Sequence, residues 1–281
     1  MKRAVMASLV VSAAAITIVS LVFFTSRPVA AQAQSGREAA AAKAPAGPTP
    51  RMPDGHPDFT GVWWPGRDIN PQTSTAYYAA PRAEPRTGPP SFESLYQPWA
   101  AAKAKNMGHK DDPALWCIPS IIGPTPLVGN GLVGEIVQTP KAMFQLVETY
   151  HGFRIIPTDG RPHRDDVVPS YKGDAVGHWE GDTLVVDVTG FSDKNWLNHH
   201  GAVSFHSDEL HMVERYRRPD RDTLEIDVTA DDPKVLTGTW KAPHSKLTLA
   251  PFEHVMETAC EIDAIPALMD AAAKENYGLK K

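Results

Sequence analysis

Cysteine is scarce in this 281-residue chain, with Cys117 and Cys260 the two present. The short motifs that announce many chemistries are missing as well. No phosphate-cradling loop or nucleotide fingerprint sits between a strand and a helix, and there is no Ser nucleophile elbow. The helical His-Glu-x-x-His and the Cys-x-x-Cys patterns of metal sites are also lacking. Basic residues are not in excess: Lys and Arg number 28 against 33 Asp and Glu, for a net charge of −5. A nucleic-acid partner is therefore not expected. Nor does a basic amphipathic helix point the mature part toward a membrane surface.

What is present begins with an export signature. Lys2 and Arg3 precede an apolar run from Ala4 to Phe24, and small residues follow at Val29-Ala30-Ala31 and Ala31-Gln32-Ala33. This is the layout of a secretory signal over residues 1–33, placing the mature protein in the periplasm or outside the cell. The rival reading is an uncleaved anchor, which would be the chain's one link to a membrane. In an oxidising compartment Cys117 and Cys260 are expected to pair, with two free thiols or half of a metal site as the alternatives.

Residues 34–55 are Ala, Pro, Gly and charge, with too little apolar bulk to repay ordering, and read as a flexible leader. Residues 56–132 read as an extended, Pro-rich segment packed on the main domain. One helix is expected there from Phe92 to Met107, with Ser91 as N-cap, Gly108 as stop, and Pro98 bending it or delaying its start. Residues 133–262 read as an antiparallel β domain and 263–281 as a tail with helical potential.

The strand expectation rests on β-branched and aromatic enrichment with alternation. It covers Gly134 to Thr139, Met143 to Tyr150, Phe153 to Pro157, Ala175 to Trp179, Thr183 to Thr189, Glu209 to Arg217, Thr223 to Thr229, Thr237 to Lys241 and Lys246 to Thr258. Tight connections such as His151-Gly152 and Glu180-Gly181 make neighbours antiparallel. The fold class is mainly β: a meander closing into a barrel or a strongly curled sheet.

Gly61-Val62-Trp63 resembles the Gly-x-Trp that opens lipocalin-type barrels, where the tryptophan closes one end and the interior holds a small apolar ligand. A longer set of phrases is similar to a family of exported bacterial proteins: Asp54-Gly55-His56-Pro57-Asp58, Thr158-Asp159-Gly160-Arg161-Pro162-His163, Gly177-His178-Trp179-Glu180-Gly181-Asp182-Thr183-Leu184-Val185-Val186-Asp187, and His206-Ser207-Asp208 with Leu210-His211 and Glu214-Arg215. That resemblance implies family membership and carries no assigned reaction.

Candidate chemistry starts from glutamates inside strands. Alternation places Phe144, Leu146, Glu148 and Tyr150 on one face, and Leu210, Met212, Glu214 and Tyr216 on one face of another strand. Carboxylates on an apolar face need a cation or donors, or a raised pKa. Glu148 and Glu214 are thus candidate base and acid, with His206 or His211 as proton relay and Arg154 or Arg215 steadying negative charge. Tyr150, Tyr216, His178 and Asp208 complete the candidate ligand contacts. Parity also separates His211 from Glu214 on their strand.

The expected function is binding of a small, partly apolar organic molecule, with elimination, hydration or isomerisation as the compatible chemistry, none of which needs a bound cofactor. The alternatives are a periplasmic carrier whose glutamates are locked in salt bridges with Arg154 or Arg215, and a metal-dependent hydrolase or oxygenase using His163, His178, His199, His200, His206 and His211.

Overall fold

The computed structural model describes residues 47–65, 90–121, 133–147, 152–197, 203–251 and 253–255. All belong to the compact unit Pro45–Lys281. The strands are β1 (Gly61–Trp64), β2 (Gly134–Thr139), β3 (Ala142–Val147), β4 (Gly152–Pro157), β5 (Asp174–Glu180), β6 (Thr183–Thr189), β7 (His211–Asp220), β8 (Thr223–Asp231), β9 (Trp240–Lys241) and β10 (Ser245–Leu249). Among the described residues no helix is long and apolar enough to cross a membrane.

Every pairing between these strands is antiparallel, in the order β4-β3-β2-β1-β10-β8-β7-β6-β5, with β9 on β8. The two outermost strands then approach each other and nearly close the wall into a barrel. Gly160 N donates to Gly177 O at 2.9 Å where the end of β4 meets β5. A Cβ at Gly177 would sit 3.2 Å from Pro157 O, a tight contact that the glycine relieves.

Local chemistry explains the tight turns. Gly181 holds φ +61° between β5 and β6, a left-handed conformation that glycine adopts at little cost. Between β7 and β8, the Asp220 carboxylate accepts from Asp222 N at 2.8 Å. β8 alternates as its sequence requires, with Leu224, Ile226 and Val228 buried and Glu225, Asp227 and Thr229 less so.

The barrel interior is packed with Trp63, Ile136, Met143, Ile156, Leu184, Val186, Met212 and Ile226, all buried. Trp63, from the Gly-x-Trp phrase, is fully enclosed; its indole donates to Phe59 O at 2.9 Å and the Arg218 guanidinium lies 4.8 Å from its ring centroid.

The expected helix from Phe92 to Met107 is divided. A 3-10 turn, Phe92–Leu95, precedes α1, Pro98–Ala104, which begins with Pro98 in its first turn. Proline lacks an amide proton and disfavours helix just before it, so the break falls there. Ser91 makes no side-chain cap bond. The last strand is also shorter than expected: β10 ends at Leu249, ahead of Ala250-Pro251, and residues 256–258 lie outside the described residues.

Candidate functional site

Parity on β3 places an unexpected residue inside. Met143, Gln145 and Val147 are the buried set, so the face carrying Phe144 and Leu146 is the outer one, contrary to the expectation from hydrophobicity. The reason lies in the outer surface of β2 to β4, which is itself apolar: Val137, Leu146, Phe153 and Ile155 are all exposed there. With oil on both faces, hydrophobicity cannot assign the inside. Glu148 and Tyr150, expected from the sequence to share that face, lie outside the described residues, as do His199 and His200.

Gln145 stands opposite Arg154 in the β3–β4 register, and both project inward toward β7. Arg154 Nη1 donates to both oxygens of Glu214, at 2.9 and 3.1 Å. Tyr216 donates its hydroxyl to Glu214 Oε2 at 2.6 Å and accepts from Gln145 Nε2 at 2.9 Å. The single phenol proton goes to the carboxylate, so the hydroxyl must accept from Gln145 and thereby fixes the amide's orientation. Burial is the first cause that pushes Tyr216 well above its ordinary pKa, and the Glu214 charge adds to it. These four side chains form a polar island within the apolar core.

The island is incompletely satisfied. Arg154 Nε and Nη2 and Gln145 Oε1 are buried without a hydrogen-bond partner. Arg154 also lines a cleft of about 410 Å³ bounded by Phe153, Ile155, Pro119, Tyr171 and Lys172. The cleft lies along the seam between β4 and β5. Near Pro157 and Gly177 the seam is joined, whereas between Gly152–Ile155 and Ser170–Ala175 it gapes.

Lys172 stands at this opening, its Nζ donating to Ser120 O at 2.7 Å and Ile121 O at 2.9 Å. Burial first and the Arg154 charge second pull its pKa down to about 7, against the Glu214 charge. The same two loops are braced from behind by buried Asn195, whose Nδ2 donates to Pro119 O at 2.9 Å and Tyr171 O at 3.0 Å. His206 lies behind Asn195, with Nδ1 2.8 Å from Ser207 O and Nε2 3.3 Å from Asn195 Oδ1. Burial lowers the pKa of His206. Its contacts make it a brace for the loops at the cleft.

Of the candidate residues, the structure brings together Glu214, Arg154 and Tyr216. The other candidates among the described residues are elsewhere. On the outer wall, His211 Nε2 lies 2.7 Å from Asp187 Oδ2, while His163 bridges Asp187 Oδ1 at 2.8 Å and Asp174 Oδ2 at 2.9 Å. Arg215 is bonded to Glu180, and His178 lies 3.3 Å from the same carboxylate. Asp208 is exposed and pairs with Lys234 at 2.8 Å. The separation of His211 from Glu214 by strand parity is found as expected.

Among the described residues no group of three His, Cys, Asp or Glu side chains is arranged to hold a metal ion. The run from Gly129 to Gly134 has Gly-x-Gly-x-x-Gly spacing, but its last glycine opens β2, whereas a dinucleotide fingerprint opens a helix. Cys117 is not a free thiol, and Cys260 lies outside the described residues.

Gln145 and Lys172 escaped the sequence reading. A glutamine between Met143 and Val147 on alternate positions was a usable signal for the first. Lys172 sits in a turn, where nothing in the local sequence marks it. No family model, curated protein or solved structure matches the chain.

Proposed function

We propose that this protein is an exported barrel that binds a small organic molecule in the cleft between β4 and β5. The observation that carries the reading is the cleft itself: about 410 Å³, with apolar lips from Phe153 and Ile155 and a floor that includes the buried Arg154. An apolar pocket with a few convergent polar groups is the usual form of a small-molecule site. The signal-like residues 1–33 support export, and the two cysteines support a Cys117–Cys260 disulfide of the kind exported proteins carry.

Binding is favoured over acid and base catalysis by Glu214. Both its oxygens are held, by Arg154 and Tyr216, which leaves the carboxylate a structural partner of the cation. The test uses a neutral fluorescent reporter, N-phenyl-1-naphthylamine, titrated into the purified mature protein and into an Ala175→Leu variant that fills the cleft wall. Saturable one-to-one binding, lost in a variant whose circular dichroism is unchanged, is expected. Absence of saturable binding, or binding indifferent to the filled wall, would count against the site.

A further inference from the structure

Resting on the reading of the cleft as a ligand site, we infer that its occupant is a small organic monocarboxylate whose head takes the Nε/Nη2 edge of Arg154 beside the Lys172 ammonium. Three observations lead there.

The first is geometric. A guanidinium offers its Nε and Nη2 protons in parallel, a fork that matches the two oxygens of a carboxylate. Arg161 uses that edge in this protein, donating to Asp159 Oδ1 from Nε at 2.8 Å and to Oδ2 from Nη2 at 2.6 Å. Arg154 spends only Nη1 on Glu214, and the two nitrogens left unpaired are the fork. Its side chain is only 5% exposed, so the open edge has little access to bulk water. Buried donors of a charged group without partners are costly, and a ligand acceptor removes that cost.

The second is charge. Arg154 and Lys172 contribute two positive charges to the site and Glu214 one negative charge, so a protonated Lys172 leaves an excess of one. A single carboxylate neutralises it. Lys172 donates to two carbonyls, and an ammonium has three protons, which leaves one for the ligand.

The third is the remaining lining. Phe153, Ile155, Tyr171 and Pro119 suit an apolar body attached to that head.

Protonation follows from the same arrangement. The charges facing Lys172 are Arg154 from β4, which disfavours its ammonium, and Glu214 from β7, which favours it. A bound carboxylate also favours the ammonium, so above about pH 7 binding takes up a proton and affinity falls with rising pH.

The experiment measures binding of benzoate, 2-naphthoate and their amides to the mature protein by calorimetry at pH 6 and pH 9, with sodium chloride and sodium nitrate as controls. Carboxylates are expected to bind at least about tenfold more tightly than the matching amides, and less tightly at pH 9. Arg154→Met combined with Glu214→Gln, which removes both charges of the pair together, is expected to erase the preference. Lys172→Met is expected to flatten the pH dependence. Amides binding as well as carboxylates would overturn this inference and leave the ligand site standing, as would chloride or nitrate binding as well as the organic acids. If no probe binds and the naphthylamine reporter also fails, the ligand site itself is lost. If the reporter binds and the carboxylates do not, the inference alone fails.

Discussion

Tyr216 and Glu214 share the inner face of β7, and the phenol donates to Glu214 Oε2 at 2.6 Å while accepting from Gln145 Nε2. One hydroxyl thus links the buried carboxylate to the amide on β3, across the barrel interior. Tyr216→Phe removes a donor to a buried charge and strands the Gln145 amide. A loss of about 2–3 kcal/mol in urea unfolding is expected. A loss below about 0.5 kcal/mol would mean that the island is already solvated.

The Arg154–Glu214 pair is expected to be strongly coupled. Removing either partner leaves the other buried without its counter-charge, which costs about 3–5 kcal/mol. Arg154→Met and Glu214→Gln together are therefore expected to cost far less than the sum of the single changes. A double-mutant cycle by chemical denaturation reads this directly, and simple additivity would contradict the contact.

Gly173, at the lip of the cleft, and Gly181, in the β5–β6 turn, both have positive φ, at +70° and +61°. A Cβ on Gly181 would meet nothing within 4 Å, but one on Gly173 would lie 2.7 Å from Thr189 O, a backbone atom with little freedom to move. Gly181→Ala is expected to cost about 1–2 kcal/mol from conformation alone. Gly173→Ala is expected to cost clearly more. Equal shifts in thermal midpoint would show that the close approach is absent.

The outer-wall network predicts a pH signature. Burial opposes the charged form of His163, but its bonds to Asp174 and Asp187 prevail and raise its pKa above the ordinary 6.5. Its contribution is complete below about 6.5 and is lost as pH rises through the raised value. Asp187 is lowered from 3.8, since its bonds to His211 and His163 outweigh burial; its contribution is present above 3.8 and fades as pH falls through the lowered value. His163→Asn is thus expected to destabilise most between about pH 4 and pH 6.5, and least in alkali. The pair is partly exposed, with side chains 26% and 36% accessible, so the effect is expected to stay at or below about 1 kcal/mol. A pH-independent difference in melting would contradict the network.

Most of the wall was legible because alternation and turn chemistry are local. β2 and β6 begin and end where the sequence places them, and β8 shows its wet and dry faces plainly. Glu214 and Tyr216 were recognisable because they interrupt an otherwise apolar face whose partner face carries His211 and Arg215. The β3 face was not recoverable, because Phe144 and Leu146 are as apolar as Met143 and Val147. The cleft was not legible either. It depends on where β4 and β5, the outermost strands of a nearly closed sheet, fail to meet, and on Lys172 reaching two carbonyls about 50 residues away in the chain. Such contacts follow from closure and from no repeating pattern.

The side-chain Nε–H resonance of Arg154 tests the central claim most directly. In a titration with 2-naphthoate followed by proton–nitrogen correlation, the Arg154 Nε–H signal is expected to shift downfield and saturate with the calorimetric binding curve. Arg161, whose fork is already occupied by Asp159, is expected to stay in place. An Arg154 signal that does not move while the ligand binds would show that the molecule lies elsewhere and that the seam cleft is not the site.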